Sequence, residues 1–150
     1  MNLTMTRFEL QHLLLRVYLG SDFVHHFAEK FGLLGPVDYR NVVAYFGGVA
    51  PGDPRAWVLI AGLCEFGAFV GFTFGLFTRV AAIGTAFYLL VASIMGGHFA
   101  NGFTWANSGG GWEFPLLWML LCASFVLTGG GRVSLDALLL RRRLARCARG

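Results

Sequence analysis

A chain of 150 residues, 56% hydrophobic and only 13% charged, with a mean hydropathy of +0.62, is too apolar for an ordinary soluble domain, where about a quarter of residues carry charge. The formal net charge of +4 is concentrated in one stretch, RRRLARCAR over residues 141–149, so no nucleic-acid partner is expected. The class that remains is an all-α integral membrane protein. Cys64, Cys122 and Cys147 form no CxxC pair and no cluster with histidine, so no metal site or redox dithiol is read from them. As small apolar residues they fit packing positions.

In chain order, residues 8–29 form the first predicted span, and the absence of a small-residue cleavage site after it argues against a removable leader. Residues 31–55 are a Gly- and Pro-punctuated outer loop, within which DYRNVVAYF allows a short interfacial helix with Tyr39, Tyr45 and Phe46 at headgroup depth. The second span, 56–77, contains WVLIAGLCEFGAFVGFTFGLF, with one carboxylate, Glu65, close to its middle. After a short turn at Thr78 and Arg79 the third span covers 80–97, making a hairpin with the second. An uncharged loop, HFANGFTWANSGGG, leads to the fourth span at 112–128. The segment 134–150 then begins at Ser134 in N-cap position and places leucines opposite arginines, as an amphipathic surface helix does.

The expected architecture is therefore a four-transmembrane-helix antiparallel bundle over residues 1–133, followed by a basic cytoplasmic helix. The positive-inside rule puts both termini, Arg79 and the basic tail on the cytoplasmic side. The lipid bilayer is the first expected partner, and other membrane or membrane-associated subunits are the second.

Polar residues inside the spans mark the candidate site, because an unpaired charge in hydrocarbon costs at least ~2.5 kcal/mol. Counted at ~1.5 Å per residue from the ends of their spans, Arg16 lies roughly 10 Å and Glu65 roughly 16 Å above the inner boundary, within reach of an arginine side chain. An Arg16–Glu65 pair, or a wet pocket between the two, is the expectation. Arg16, Gly20, Phe23, Phe27 and Lys30 share one stripe of the first helix, and His26 lies nearer that stripe than His25. At the outer ends, Lys30, His98 and Glu113 form a second group. Gly67, Gly71 and Gly75 recur every four residues, a pattern for close helix approach, with packing inside the bundle favoured over a dimer seam.

The order of these features resembles the DoxX family of small bacterial four-helix membrane proteins, related to the small DoxD subunit of thiosulfate:quinone oxidoreductase. The residues that carry the resemblance are Arg16 in LLLRVYLG, Lys30, CEFGAFVGFTFGLFTRVAA with Glu65 and Arg79, His98, Glu113, and GGGRVSLD from Gly129 to Asp136. HHFAEK stands where the family usually shows a glycine-containing turn before its lysine. The resemblance implies a bacterial inner-membrane component of a redox system linking sulfur compounds or thiols to the quinone pool. Under that reading Arg16, Glu65, His98 and Glu113 are the catalytic candidates, and Arg16, Tyr18, Glu65 and Tyr88 are candidates for a quinone pocket. The alternative is a non-catalytic subunit that assembles a larger complex, with the buried pair setting helix register. A proton or small-solute path is a third reading, since intramembrane charges also mark such routes.

Overall fold

The computed structural model describes residues 5–148. Its helices are α1 (Arg7–Lys30), α2 (Tyr39–Val49), α3 (Pro54–Phe74), α4 (Thr78–Met95), α5 (Glu113–Thr128) and α6 (Leu135–Cys147). Most start where a short polar side chain takes up the free N–H groups of the first turn. Thr6 and Glu9 form a capping box on α1, Asp38 caps α2, Asp53 with Pro54 starts α3, and Ser134 caps α6.

Helices α1, α3, α4 and α5 pack side by side, and α2 lies against α3. Their shared core is Leu19 and Phe23 of α1, Ala68 and Phe72 of α3, Ala82 of α4, and Trp118, Cys122 and Phe125 of α5. Cys122 therefore serves as a core residue. Outward-facing side chains on the same helices are equally apolar, among them Leu63, Val80, Phe87 and Leu120. So much exposed hydrocarbon suits lipid and not water. Two of the helices, α3 and α4, are long and apolar enough to cross a membrane, and α5 is a shorter apolar helix.

The antiparallel register of α1 on α3 is set by small residues. A side chain at Gly20 would overlap the Thr73 side chain, and one at Gly62 would overlap Phe31. Phe27 meets Phe66 between them, with ring centroids 5.4 Å apart. Glu65 is thereby level with the last turns of α1, and Arg16 is level with the turn between α3 and α4. Gly71 packs onto Ala81, whereas a side chain at Gly67 would meet nothing. The glycine series thus divides between internal packing and open surface.

The α3–α4 turn differs from the expected 77–80 junction. Gly75 ends α3 in the left-handed region, at φ 65°, where a β-carbon would overlap the Arg16 guanidinium. Phe77 also has positive φ, at 49°, and α4 begins with no cap of its own. The cap comes from α6. The Asp136 carboxylate accepts the Phe77 N–H at 2.7 Å and the Thr78 N–H at 2.9 Å, while the Asp136 N–H donates to the Gly75 carbonyl at 2.9 Å. Arg16 completes the clamp by donating to the carbonyls of Gly130 at 2.7 Å and Val133 at 2.6 Å.

Asp136→Ala removes both acceptors from the start of α4 and should destabilise the protein by about 1–2 kcal/mol. Asp136→Asn, which keeps one acceptor oxygen, should lose less. Thermal unfolding in a mild detergent measures both.

Candidate functional site

The buried carboxylate of Glu65, only 3% exposed, is the centre of the site, but its partner is not Arg16. Lys30 Nζ lies 3.2 Å from Glu65 Oε1, and the Tyr88 hydroxyl donates to the same oxygen at 2.7 Å. The expected Arg16–Glu65 pair does not form. Arg16 is 2% exposed and spends its guanidinium on the backbone carbonyls that precede α6. Depth counted from span ends overlooked the register: with Glu65 opposite the end of α1, the cation within reach is Lys30, on the same stripe as Arg16 but almost four turns further on.

Glu65 Oε2 is buried and has no hydrogen-bond partner among the described residues. A buried carboxylate with an orphaned oxygen is costly unless a proton or a donor completes it. Lys30 also sits over the Phe46 ring, 5.8 Å from its centroid, so α2 shields the pair from the outside.

Beside the pair is a cavity of about 530 Å³ enclosed by α2, α3 and α4. Its walls are mostly apolar, with Val42, Phe46, Ile60 and Val91 among them, and its polar groups include Lys30, Tyr88, Tyr45 and His98. That size and that ratio of apolar wall to convergent polar groups are typical of small-molecule sites. Glu65 lies behind Lys30 and Tyr88 and reaches the cavity through them. Helix α2, the short helix allowed for within the 31–55 loop, forms one wall.

His98 borders the cavity from its loop side. Its Nδ1 lies 2.9 Å from the Gly110 carbonyl, which can only accept, so in the neutral ring the hydrogen sits on Nδ1 and the lone pair on Nε2. A methyl at Gly96 would lie 3.1 Å from both His98 Nε2 and the Tyr45 hydroxyl, so these two atoms flank one point of the rim. The His98 ring packs against Trp105 at 5.5 Å, and Glu113 Oε2 accepts the Trp105 N–H at 3.0 Å. Glu113 thus organises the loop over the rim and does not line the cavity.

The other candidates lie elsewhere. Tyr18 faces outward and stacks on Trp118, with centroids 5.9 Å apart, away from Glu65. His26 points outward beside Asp22 at 3.7 Å, and His25 bonds the Ser21 carbonyl within its own helix. The residues that sequence reasoning did not join to Glu65 are Lys30, Tyr45 and Phe46. The available signal was Lys30's place on the Arg16 stripe.

The DoxX family model matches residues 12–98, more than half of the chain. The chain belongs to the DoxX family. The matched segment runs from α1 to His98 and so includes Lys30, Glu65, Tyr88 and the whole of α2, α3 and α4. No curated protein and no solved structure matches the chain. As a DoxX protein it is a membrane protein, which agrees with the apolar α3 and α4 and with their lipid-like outer surface.

Removing one partner of a buried ion pair leaves an uncompensated charge. Lys30→Met should therefore destabilise this DoxX protein by about 3–5 kcal/mol. Adding Glu65→Gln should recover most of the loss, because the neutral amide still accepts from Tyr88. A double-mutant cycle on detergent-solubilised protein, read by thermal unfolding, checks the coupling.

Proposed function

We propose that this DoxX protein is the membrane component of a redox system that passes electrons from a sulfur compound or thiol to a quinone, and that the quinone ring binds in the cavity beside Lys30 and Tyr88. The observation that carries this reading is the apolar cavity with Lys30 and Tyr88 at its wall and a buried, half-partnered Glu65 behind them. The donor set fits such a ring. Lys30 has N–H donors beyond the one directed at Glu65, suited to a carbonyl oxygen. Tyr88 donates its own proton to Glu65 and keeps lone pairs free to accept from a hydroxyl on the reduced ring.

In balance, two thiols become a disulfide, and the two electrons and two protons released end on the quinone as a quinol. Electrons enter from the substrate or a partner protein. The residues of this chain bind, orient and move protons: a proton passed through the Tyr88 hydroxyl exchanges with the Glu65 carboxyl, and His98 Nε2 at the rim links the cavity to the loop side. Arg16 and Tyr18 have no part in this pocket; Arg16 holds the chain that leads into α6. Glu113 acts by placing the loop that carries Trp105 against His98.

The same reading places α1, α3, α4 and α5 as spans of a bacterial inner membrane, with both termini on the cytoplasmic side. Arg132 and the arginines of α6 then lie together on that side, as the positive-inside rule requires. A second reading, a non-catalytic assembly subunit, draws on the Arg16 and Asp136 clamp, which makes one end of the bundle a rigid platform.

Extraction in mild detergent at native expression, followed by solvent extraction and mass spectrometry, separates the two. The redox reading expects about one quinone per chain, lost in the Lys30→Met/Glu65→Gln double variant, which removes the carbonyl donor, and retained in Arg16→Lys. It also expects donor-dependent quinone reduction, counted per folded and assembled protein, to fall by about 100-fold or more in Glu65→Gln. A quinone-free protein tightly held in a larger complex would establish the assembly reading instead.

A further inference from the structure

The cavity does not end at the wall between α3 and α4. Cys64 of α3 and Gly84 of α4 border it on one side and border a second space, a groove of about 460 Å³, on the other. The groove follows the outer face of the α3–α4 hairpin from Leu63 and Cys64 to Leu76, Phe77 and Val80. We propose that this groove holds the polyprenyl tail of the same molecule whose ring occupies the cavity. The inference rests on the quinone reading above and names the class of quinone: one carrying a long branched hydrocarbon chain, as against a short-chain or soluble one.

Continuity is the first argument. Cavity and groove share Cys64 and Gly84 in their linings, and β-carbons built at Gly67 and Gly84 would both meet open space, so no side chain covers the shared border at Gly84 or fills the groove at Gly67. Gly71 forms the floor by packing onto Ala81. From Leu63 to Gly71 the groove runs about 12 Å along α3 before reaching Leu76 in the turn, room for two or three isoprene units in an extended chain. Its lining is hydrocarbon apart from Cys64 and the buried Thr85, and it opens sideways, the direction from which a molecule dissolved in lipid arrives.

Charge selects among amphiphiles. Lys30 is matched by Glu65 at 3.2 Å, so the head cavity presents a neutralised pair and hydroxyl and imidazole groups. A neutral ring with carbonyl oxygens suits that lining. A phospholipid headgroup would bring a phosphate with no free cation to receive it. A helix of a partner protein, about 10 Å across, could rest on the groove but is too wide to extend over Gly84 into the cavity between α2, α3 and α4.

The test uses the full-length protein in detergent, with quenching of tryptophan fluorescence as the binding signal. The two probes are a long-chain polyprenyl quinone and the same ring with a methyl group in place of the tail. Gly67→Trp fills the groove while leaving the cavity lining untouched, and Gly67→Leu does so more gently. Because position 67 faces open space, both variants should keep the wild-type melting temperature. The expected result is a loss of about tenfold or more in affinity for the long-chain probe, with affinity for the tail-less ring held within about twofold. The Lys30→Met/Glu65→Gln double variant, which removes the donor to the ring carbonyl, should weaken both probes alike.

Unchanged long-chain affinity in the Gly67 variants, with the Lys30→Met/Glu65→Gln double variant still weakening both probes, overturns the tail assignment and leaves the ring site standing. Failure of the wild-type protein to bind either probe overturns the quinone reading and the tail assignment together. Loss of a co-purifying phospholipid or of an oligomer in Gly67→Trp, with quinone affinities unchanged, assigns the groove to an acyl chain or to a second helix and also overturns the proposal.

Discussion

A carboxylate near the middle of an apolar helix has to be neutralised, and much of this structure follows from how that is done at Glu65. One oxygen receives both Lys30 and the Tyr88 hydroxyl, which ties α1, α3 and α4 together at one level. For Lys30 to arrive there, α1 must run its full length to the level of Glu65, and the helices must approach closely. Gly20 and Gly62 permit that approach, since a side chain at either would overlap the facing helix. Helix α2 then lays Phe46 over the ammonium and Tyr45 beside His98, turning a loop into a wall. The cavity is what remains between that wall and the pair it shields.

The opposite end of the bundle solves a different electrostatic problem with different groups. Arg16 is as deeply buried as Glu65, yet among the described residues no carboxylate pairs with it, and two carbonyls of the chain leaving α5 hold its terminal nitrogens while its Nε finds no partner. Asp136 meanwhile supplies the cap that α4 lacks. The two residues make one clamp that joins α1, the α3–α4 turn and the start of α6. Between clamp and cavity lies the apolar core of Leu19, Phe23, Phe72, Trp118 and Phe125. The molecule thus has a structural end and a chemical end, separated by side chains that carry neither charge nor hydrogen bonds.

That separation bears on function. Lys30, Tyr45, Tyr88 and His98 gather on the side of α2 and the 98–112 loop, where they border the cavity, and Cys64 and Gly84 stand between that cavity and the outer groove of the α3–α4 hairpin. A lipid-dissolved ligand and a loop-side partner would meet at Glu65 without crossing the core. The basic α6 stands at the other end, with Leu138 and Leu144 exposed beside its arginines, in the form of a helix lying on an anionic surface.

Hydropathy and punctuation were sufficient to read the helices. Thr6, Asp53 and Ser134 announce helix starts by their own side chains, and Gly75 and Gly129 stop helices by their backbone freedom, all local effects. The presence of a buried acid at Glu65, its need for a partner, and the membership of the DoxX family were legible for the same reason: each depends on residue type and order along one strand of sequence. The identity of the partner was not. Arg16 and Lys30 share one face of α1, and choosing between them requires the vertical register of α1 on α3, which is decided by which small residues meet which aromatic rings. Asp136 as the cap of α4, the conversion of α2 into a cavity wall, and the border that cavity and groove share at Cys64 and Gly84 belong to the same class. They are contacts between segments far apart in the chain, so only close packing in three dimensions decided them.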